Sequence, residues 1–138
     1  KLIAVGTTSM RTLESLYYIG VHIIRNGQPG AVEQWEPYDA DCDISSEEAM
    51  RAIYNYLEDR NMDAITARTA IIIAPSYKFR MVDILVTNFH QPQSTLLLLI
   101  SAFVGDDWRE IYRFAMDNGF RFLSYGDSSL LYRRDGVK

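Results

Sequence analysis

Residues 81–104, MVDILVTNFHQPQSTLLLLISAFV, place an apolar strand directly before a polar turn and an almost wholly apolar helix. Polar side chains between two buried elements cost free energy unless they are paired, so a polar turn in this position indicates a binding site. A purely structural interpretation stays open beside it. In that interpretation Ser94 caps the helix and Pro92 stiffens the turn.

The composition is that of a globular domain with a core of its own. The chain has 138 residues, of which 48% are hydrophobic, and this content argues against disorder. Cys42 is the one cysteine, so no internal disulfide is possible and we expect a reducing, cytoplasmic location. No apolar run approaches the roughly 20 residues of a membrane span, so we expect no membrane association. We also expect a monomer. Because the chain opens at Lys1 and not at a methionine, we expect it to be a piece of a longer protein.

The net charge of −4 is unevenly distributed. Residues 36–63 hold nine acids and two bases, whereas the rest of the chain holds nine acids and twelve bases. The main body is therefore mildly basic and carries an acidic segment. Its excess of three positive charges is too small to predict binding to a polyanion.

Apolar runs and glycines predict strands alternating with helices. We expect a hairpin around Asn26-Gly27, which is a common hairpin turn. The pattern predicts an α/β fold with a mixed β-sheet flanked by helices. The predicted strands are 2–5, 21–25, 31–35, 70–74, 79–86, 120–124 and 130–132.

Four helices are predicted from apolar spacing and caps. The first runs from Met10 to a stop at Gly20. The second opens with a capping box at Ser45 and Glu48 and ends near residue 60. The third and fourth span residues 94–104 and 106–118.

Two polar turns are candidates for chemistry. Gly6-Thr7-Thr8-Ser9 joins a strand to a helix, where backbone N–H groups and the helix dipole attract an anion; an ordinary helix cap is the alternative. His90 follows a strand end beside Asn88, where it can exchange a proton or donate to a substrate. A hydrogen-bonded structural histidine is the alternative there.

A third candidate is Ser124-Tyr125-Gly126-Asp127, which places a hydroxyl and a carboxylate around a glycine; a plain β-turn is the alternative. We expect no metal, because two histidines and one cysteine that are far apart in sequence give no ligand spacing.

Four segments together are more specific than any one of them: AVGTTSMRTLES (4–15), PSYKFRMVD (75–83), VTNFHQPQSTLLLLISA (86–102) and FRFLSYGD (120–127). In this order they resemble the C-terminal portion of the S-adenosylmethionine:tRNA ribosyltransferase-isomerase (QueA) family. Two departures stand out. The family's Leu-Pro-Lys-Ser-Thr is Gln91-Pro92-Gln93-Ser94-Thr95 here, and its Pro-Gly is Pro75-Ser76.

The resemblance implies a fragment of a larger two-domain enzyme that lacks the N-terminal part and the inserted β-barrel. Residues 1–138 would then be the C-terminal part of the α/β domain, with an acidic helical insertion at about 36–63. The implied activity transfers and rearranges the ribosyl part of S-adenosylmethionine, a co-substrate, onto 7-aminomethyl-7-deazaguanine in tRNA. The products would be epoxyqueuosine, adenine and methionine, and the partner is tRNA carrying that base.

On this hypothesis His90 transfers the proton, and Asp127 and Tyr125 orient substrate or act as the partner acid. Two other functions remain open: a non-catalytic RNA-binding module, and a different α/β enzyme acting on a nucleotide. The fragment alone is expected to be inactive. The candidate substrate-binding residues are Gly6, Thr7, Thr8, Ser9, Arg11, Asn88, Ser94, Thr95, Ser124 and Gly126.

Overall fold

The structure, a computed structural model, describes residues 1–39 and 42–134. Its described residues form two compact units. The described residues of the first unit are 1–10 and 73–134, and those of the second are 11–39 and 42–72.

The first unit is built on a three-stranded sheet in the order β1-β2-β3. The strands are β1 (Ile3–Val5), β2 (Ile84–Asn88) and β3 (Ser128–Tyr132). β1 runs parallel to β2, and β3 runs antiparallel to it. The predicted mixed sheet is confirmed, but its antiparallel member is β3 and not a hairpin.

The two faces of this sheet differ in burial. Ala4, Leu85 and Leu131 point to one face and are buried. The opposite face carries β1 and β3 side chains that are exposed, among them Val5 at 68% and Tyr132 at 61%. Among the described residues, β1 is therefore covered on one face, unlike a strand between two layers of helices, which is buried on both faces.

Helices α4 (Thr95–Val104) and α5 (Trp108–Asp117) belong to the same unit, and a 3-10 turn at Gly105–Asp107 joins them. Ser94 caps α4, in agreement with the structural interpretation of the turn, because its hydroxyl accepts the N–H of Leu96 at 3.0 Å. Phe103 of α4 is fully buried. Both predicted helices are confirmed.

The second unit contains most of helix α1 (Thr7–Asn26), the short α2 (Glu36–Asp39) and α3 (Ser46–Arg60). The predicted capping box of α3 is present, with the Ser45 N–H donating to the Glu48 carboxylate at 2.7 Å and the Glu48 N–H donating to the Ser45 hydroxyl at 3.2 Å. The acidic segment 36–63 is thus largely helical. Ala40 and Asp41 of that segment lie outside the described residues.

Helix α1 corrects two predictions. It continues through Gly20 to Asn26, so the predicted stop at Gly20 and the predicted hairpin are both wrong. A Cβ on Gly20 would lie 2.3 Å from the carbonyl oxygen of Ala49 in α3. The glycine is therefore needed for close helix packing, and Gly27, with φ of 78°, stands where α1 ends.

Other predicted strands are absent from the described residues. Segments 31–35 and 68–72 make one parallel bridge, in which Val32 and Thr69 are partners. Residues 79–83 are irregular, and β2 begins only at Ile84. Residues 120–124 are not a strand; a 3-10 turn spans Leu123–Tyr125 and Leu123 has a φ of 60°.

Candidate active site

A cavity of about 500 Å³ lies at the carboxyl ends of β1 and β2 in the first unit. Because the two strands are parallel, the loops that follow them leave the sheet at the same edge, where α/β proteins commonly bind ligands. Polar residues from three places in the sequence meet there. The lining residues are Val5, Gly6, Thr7, Thr8, Ser9, Val86, Thr87, Asn88, His90 and Ser128.

The turn after β1 brings the start of a helix to this cavity. Gly6 has a φ of 91°, which an L side chain adopts only with strain, and its N–H donates to the Val86 carbonyl at 2.8 Å. α1 begins directly after it, so Thr7, Thr8 and Ser9 form the first helical turn. The positive end of the helix dipole and three hydroxyl groups therefore border the cavity, an arrangement that attracts an anion.

His90 is held from two sides. Its Nε2 lies 3.1 Å from the hydroxyl of Thr87, and its backbone N–H donates to the Tyr112 hydroxyl at 3.0 Å. The residue is 8% exposed, and this burial lowers the pKa of the imidazole. A neutral imidazole beside the cavity can accept or donate a proton.

An aromatic cluster supports the histidine from the side of α5. The Phe89 ring stacks on Phe122 with ring centres 5.5 Å apart and meets Tyr112 edge-to-face at 5.3 Å. The Leu123 N–H donates to the Phe89 carbonyl at 2.8 Å. These contacts explain why residues 120–124 leave the strand conformation: their aromatic rings pack around Phe89.

The Ser124–Asp127 candidates lie next to the cavity lining in sequence but not within it. Asp127 accepts the Arg121 backbone N–H at 2.5 Å and its Nε at 3.3 Å, and these hydrogen bonds lower the pKa of the carboxyl. Tyr125 is 73% exposed. The structure thus places Asp127 in a turn-stabilising contact, directly before the lining residue Ser128.

Three other candidates, Ser94, Thr95 and Arg11, are not among the residues that line this cavity. Ser94 caps α4, and Thr95 is the first residue of that helix. In the second unit, the guanidinium of Arg11 donates twice to the Ile71 carbonyl, at 3.2 and 2.9 Å.

Sequence reasoning missed three residues here. Thr87 and Ser128 line the cavity, and Tyr112 binds the His90 backbone. Thr87 could have been identified from the sequence, because it is a polar residue inside the apolar run of β2. Ser128 and Tyr112 carried no such signal, because Tyr112 occupies an ordinary core position of an amphipathic helix.

Residues 1–39 and 42–134 contain no group of three or more His, Cys, Asp or Glu side chains placed to hold a metal ion. Within the same ranges, none of the helices combines the length and apolar character needed to cross a membrane.

The chain thus has an α/β fold with a polar candidate site, which is bordered by the first turn of a helix and by a buried histidine. The family model described as "Queuosine biosynthesis protein" matches residues 1–131. The chain belongs to this family.

Named relatives agree with the family match. The S-adenosylmethionine:tRNA ribosyltransferase-isomerase of Paraburkholderia phytofirmans is 42% identical over 136 residues, which are 98% of this chain and 29% of that protein. Its counterpart from Burkholderia ambifaria is 43% identical over 135 residues, covering 97% of this chain and 28% of the relative. The chain therefore spans somewhat under a third of these relatives.

A solved structure is also similar. The crystal structure of S-adenosylmethionine tRNA ribosyltransferase from Thermotoga maritima matches 93% of this chain and 31% of that chain, with 31% sequence identity and a TM-score of 0.50.

Proposed function

We propose that this chain carries part of the catalytic site of a tRNA ribosyltransferase-isomerase of queuosine biosynthesis. The enzyme would transfer and rearrange the ribosyl part of S-adenosylmethionine onto 7-aminomethyl-7-deazaguanine in tRNA. One observation carries the proposal: in a chain of this family, the β1–α1 turn and the segment from Thr87 to His90 at the end of β2 border the same polar cavity.

The proposed chemistry needs a base, because the sulfonium of S-adenosylmethionine acidifies the adjacent ribose carbon. A base removes a proton from that carbon. The amine of the aminomethyl group displaces the ribose ring oxygen from its carbon, which forms the new C–N bond, and the amine loses a proton. Adenine leaves with the electron pair of its glycosidic bond and takes up a proton, while the electron pair on the deprotonated carbon forms a C–C bond to the anomeric carbon. The freed ring oxygen then displaces methionine, which leaves with the pair of the C–S bond, and the epoxide closes. We assign the first proton transfer to His90, whose lowered pKa keeps it neutral at pH 7.

The other residues are assigned to binding. The first turn of α1, Thr7 to Ser9, would bind an anionic group such as a carboxylate or phosphate. Asn88, at the end of β2 and exposed to the cavity, would donate or accept hydrogen bonds. Tyr125 is exposed and Asp127 holds its turn, so we assign both to orienting the bound tRNA.

The proposed domain organisation, partners and location are those that membership of this family implies. Residues 1–138 would form the C-terminal part of an α/β domain, with the acidic segment 36–63 as a helical insertion. The partners would be S-adenosylmethionine as co-substrate and tRNA carrying the modified base. We propose a cytoplasmic monomer that needs no metal.

The test uses a full-length protein that carries this chain in place of the matching 29% of the Paraburkholderia phytofirmans relative. It is mixed with S-adenosylmethionine and tRNA bearing 7-aminomethyl-7-deazaguanine, and adenine, methionine and the modified nucleoside are quantified. Joint release that depends on this tRNA supports the proposal. A folded chimera without release, beside an active parent, contradicts it, and salt-dependent tRNA binding alone would favour an RNA-binding module.

The role of His90 is tested in the same chimera. His90→Ala should lower turnover by about 100-fold or more if the residue carries proton transfer. His22→Ala is the matched control, since this other histidine lies in the second unit and contacts Glu36. Near-normal turnover of the His90 variant would remove the residue from the mechanism.

A further inference from the structure

The hydroxyl of Thr87 and the ring of His90 are fixed with respect to each other by their backbones. Thr87 sits in β2 opposite Ser129, whose hydroxyl donates to the Thr87 carbonyl at 3.2 Å. The Tyr112 hydroxyl accepts the His90 backbone N–H, and the Thr87 hydroxyl meets Nε2 of the ring at 3.1 Å. Thr87 is 6% exposed. Both the main chain and one edge of the histidine are therefore anchored.

The two ring nitrogens differ in their partners. Nε2 has the Thr87 hydroxyl, whereas Nδ1 forms no hydrogen bond with any other described residue. Burial lowers the pKa of His90, so the ring carries one proton at neutral pH. A hydroxyl can accept one hydrogen bond while it donates another, so the Thr87 hydroxyl can accept from a protonated Nε2. In the proposed function His90 takes up a proton, and this needs a lone pair on the ring nitrogen that has no protein partner. We therefore assign the resting proton to Nε2, with Thr87 as its acceptor.

We propose that Thr87 is a positioning residue that holds His90 as the Nε2–H tautomer and leaves Nδ1 as the atom that accepts the substrate proton. This assignment of the two nitrogens rests on the proposed function. In that step the C–H bond next to the sulfonium breaks, its electron pair stays on carbon, and the proton forms a bond to Nδ1. The imidazolium that results keeps its Nε2–H on the Thr87 oxygen.

The tautomer is measurable in this chain without any substrate. The sequence has two histidines, so a ¹⁵N-histidine-labelled sample gives two sets of ring signals in a long-range ¹H–¹⁵N correlation. A protonated ring nitrogen and one with a lone pair differ strongly in ¹⁵N shift. His22→Gln assigns the remaining set to His90, and His90→Gln gives the same assignment if the first variant unfolds.

Thr87→Val removes the hydroxyl at nearly constant shape, and Thr87→Ser is the matched control that keeps it. We expect protonated Nε2 and unprotonated Nδ1 in the unmodified chain and in Thr87→Ser, and a mixture of tautomers in Thr87→Val. In the active chimera, Thr87→Val should lower turnover by about 10- to 100-fold with little change in KM, and Thr87→Ser should restore it.

A protonated Nδ1 in the unmodified chain would overturn the proposal, and so would a Thr87→Val spectrum identical to that of the unmodified chain. These spectra do not depend on activity. An inactive chimera with the expected tautomer would therefore contradict the proposed function and leave the positioning role of Thr87 intact.

Discussion

Tyr112→Phe isolates the contact that holds the backbone of His90. The substitution removes one oxygen and keeps the ring. The packing of the ring against Phe89, at 5.3 Å, and Phe122, at 5.9 Å, is therefore retained. What is lost is the acceptor of the His90 N–H, which donates to the Tyr112 hydroxyl at 3.0 Å. Since both residues are buried, water does not readily replace that acceptor.

A buried donor left without a partner costs about 1–3 kcal/mol. Removal of the tyrosine hydroxyl offsets little of this, because that group was itself hydrogen-bonded. For a chain of this length, 1 kcal/mol corresponds to roughly 4 °C in Tm. We therefore expect Tyr112→Phe to lower Tm by about 4–12 °C.

Urea unfolding followed by Trp108 fluorescence measures this effect locally. Trp108 lies beside Tyr112, with ring centres 6.1 Å apart, and a Trp35→Phe background removes the other tryptophan. Tyr125→Phe is the matched control, because Tyr125 is 73% exposed and should lose less than about 0.5 kcal/mol. Equal stabilities of the two variants would refute the reasoning about the His90 backbone.

Three further predictions concern helix packing, capping and pH. Gly20→Ala forces a Cβ to 2.3 Å from the Ala49 carbonyl oxygen. The overpacking costs about 3 kcal/mol, which exceeds the roughly 1 kcal/mol that alanine gains over glycine in a helix. The variant should therefore be less stable, and an unchanged Tm would contradict this expectation. Ser45→Ala should cost about 1 kcal/mol at pH 7. Hydrogen bonds from the Ser45 backbone N–H and, second, from its hydroxyl lower the pKa of Glu48. The stabilisation they give is complete above pH 4.5 and is lost as the pH falls through the lowered pKa. Ser45→Ala removes only the hydroxyl, so its loss of stability relative to the unmodified chain should be partly smaller in urea unfolding at pH 3 than at pH 7. Burial lowers the pKa of His90 from 6.5, so the unfolded chain binds a proton at a higher pH than the folded chain does. The free energy of unfolding should therefore fall as the pH drops below 6.5 and level off below the pKa of the folded state. Urea unfolding across pH 4–8 should show no such slope for His90→Gln, and identical slopes for the two proteins would argue against the burial.

Local signals predicted the elements whose ends are set by neighbouring residues. The capping box of Ser45 and Glu48 and the cap at Ser94 lie where the sequence indicated. These predictions hold because a cap is a hydrogen bond between residues two or three positions apart. The polar turn at 6–9 and the polar residues Asn88 and His90 at the end of β2 were also readable, since polar side chains end apolar runs there.

Predictions failed where a distant segment decided the conformation. Gly20 is a residue type that commonly ends helices, yet it lies inside α1, where the backbone of Ala49 approaches it closely. Residues 120–124 have the composition of a strand, yet their rings pack around Phe89 and Tyr112. The helix and strand propensities of neighbouring residues favour a conformation only weakly, so packing against a distant segment can outweigh them.

The sequence by itself determined the α/β class, the caps, the polar turns and the family pattern, because each depends on residue spacing along the chain. Tertiary structure alone decided that the turn after β1 and the turn after β2 border the same cavity, while Tyr125 and Asp127 lie outside its lining. It also decided that Thr87 meets Nε2 of His90 and that Tyr112 holds its backbone. The reason is the parallel pairing of β1 with β2, which joins residues about 80 positions apart at one edge of the sheet.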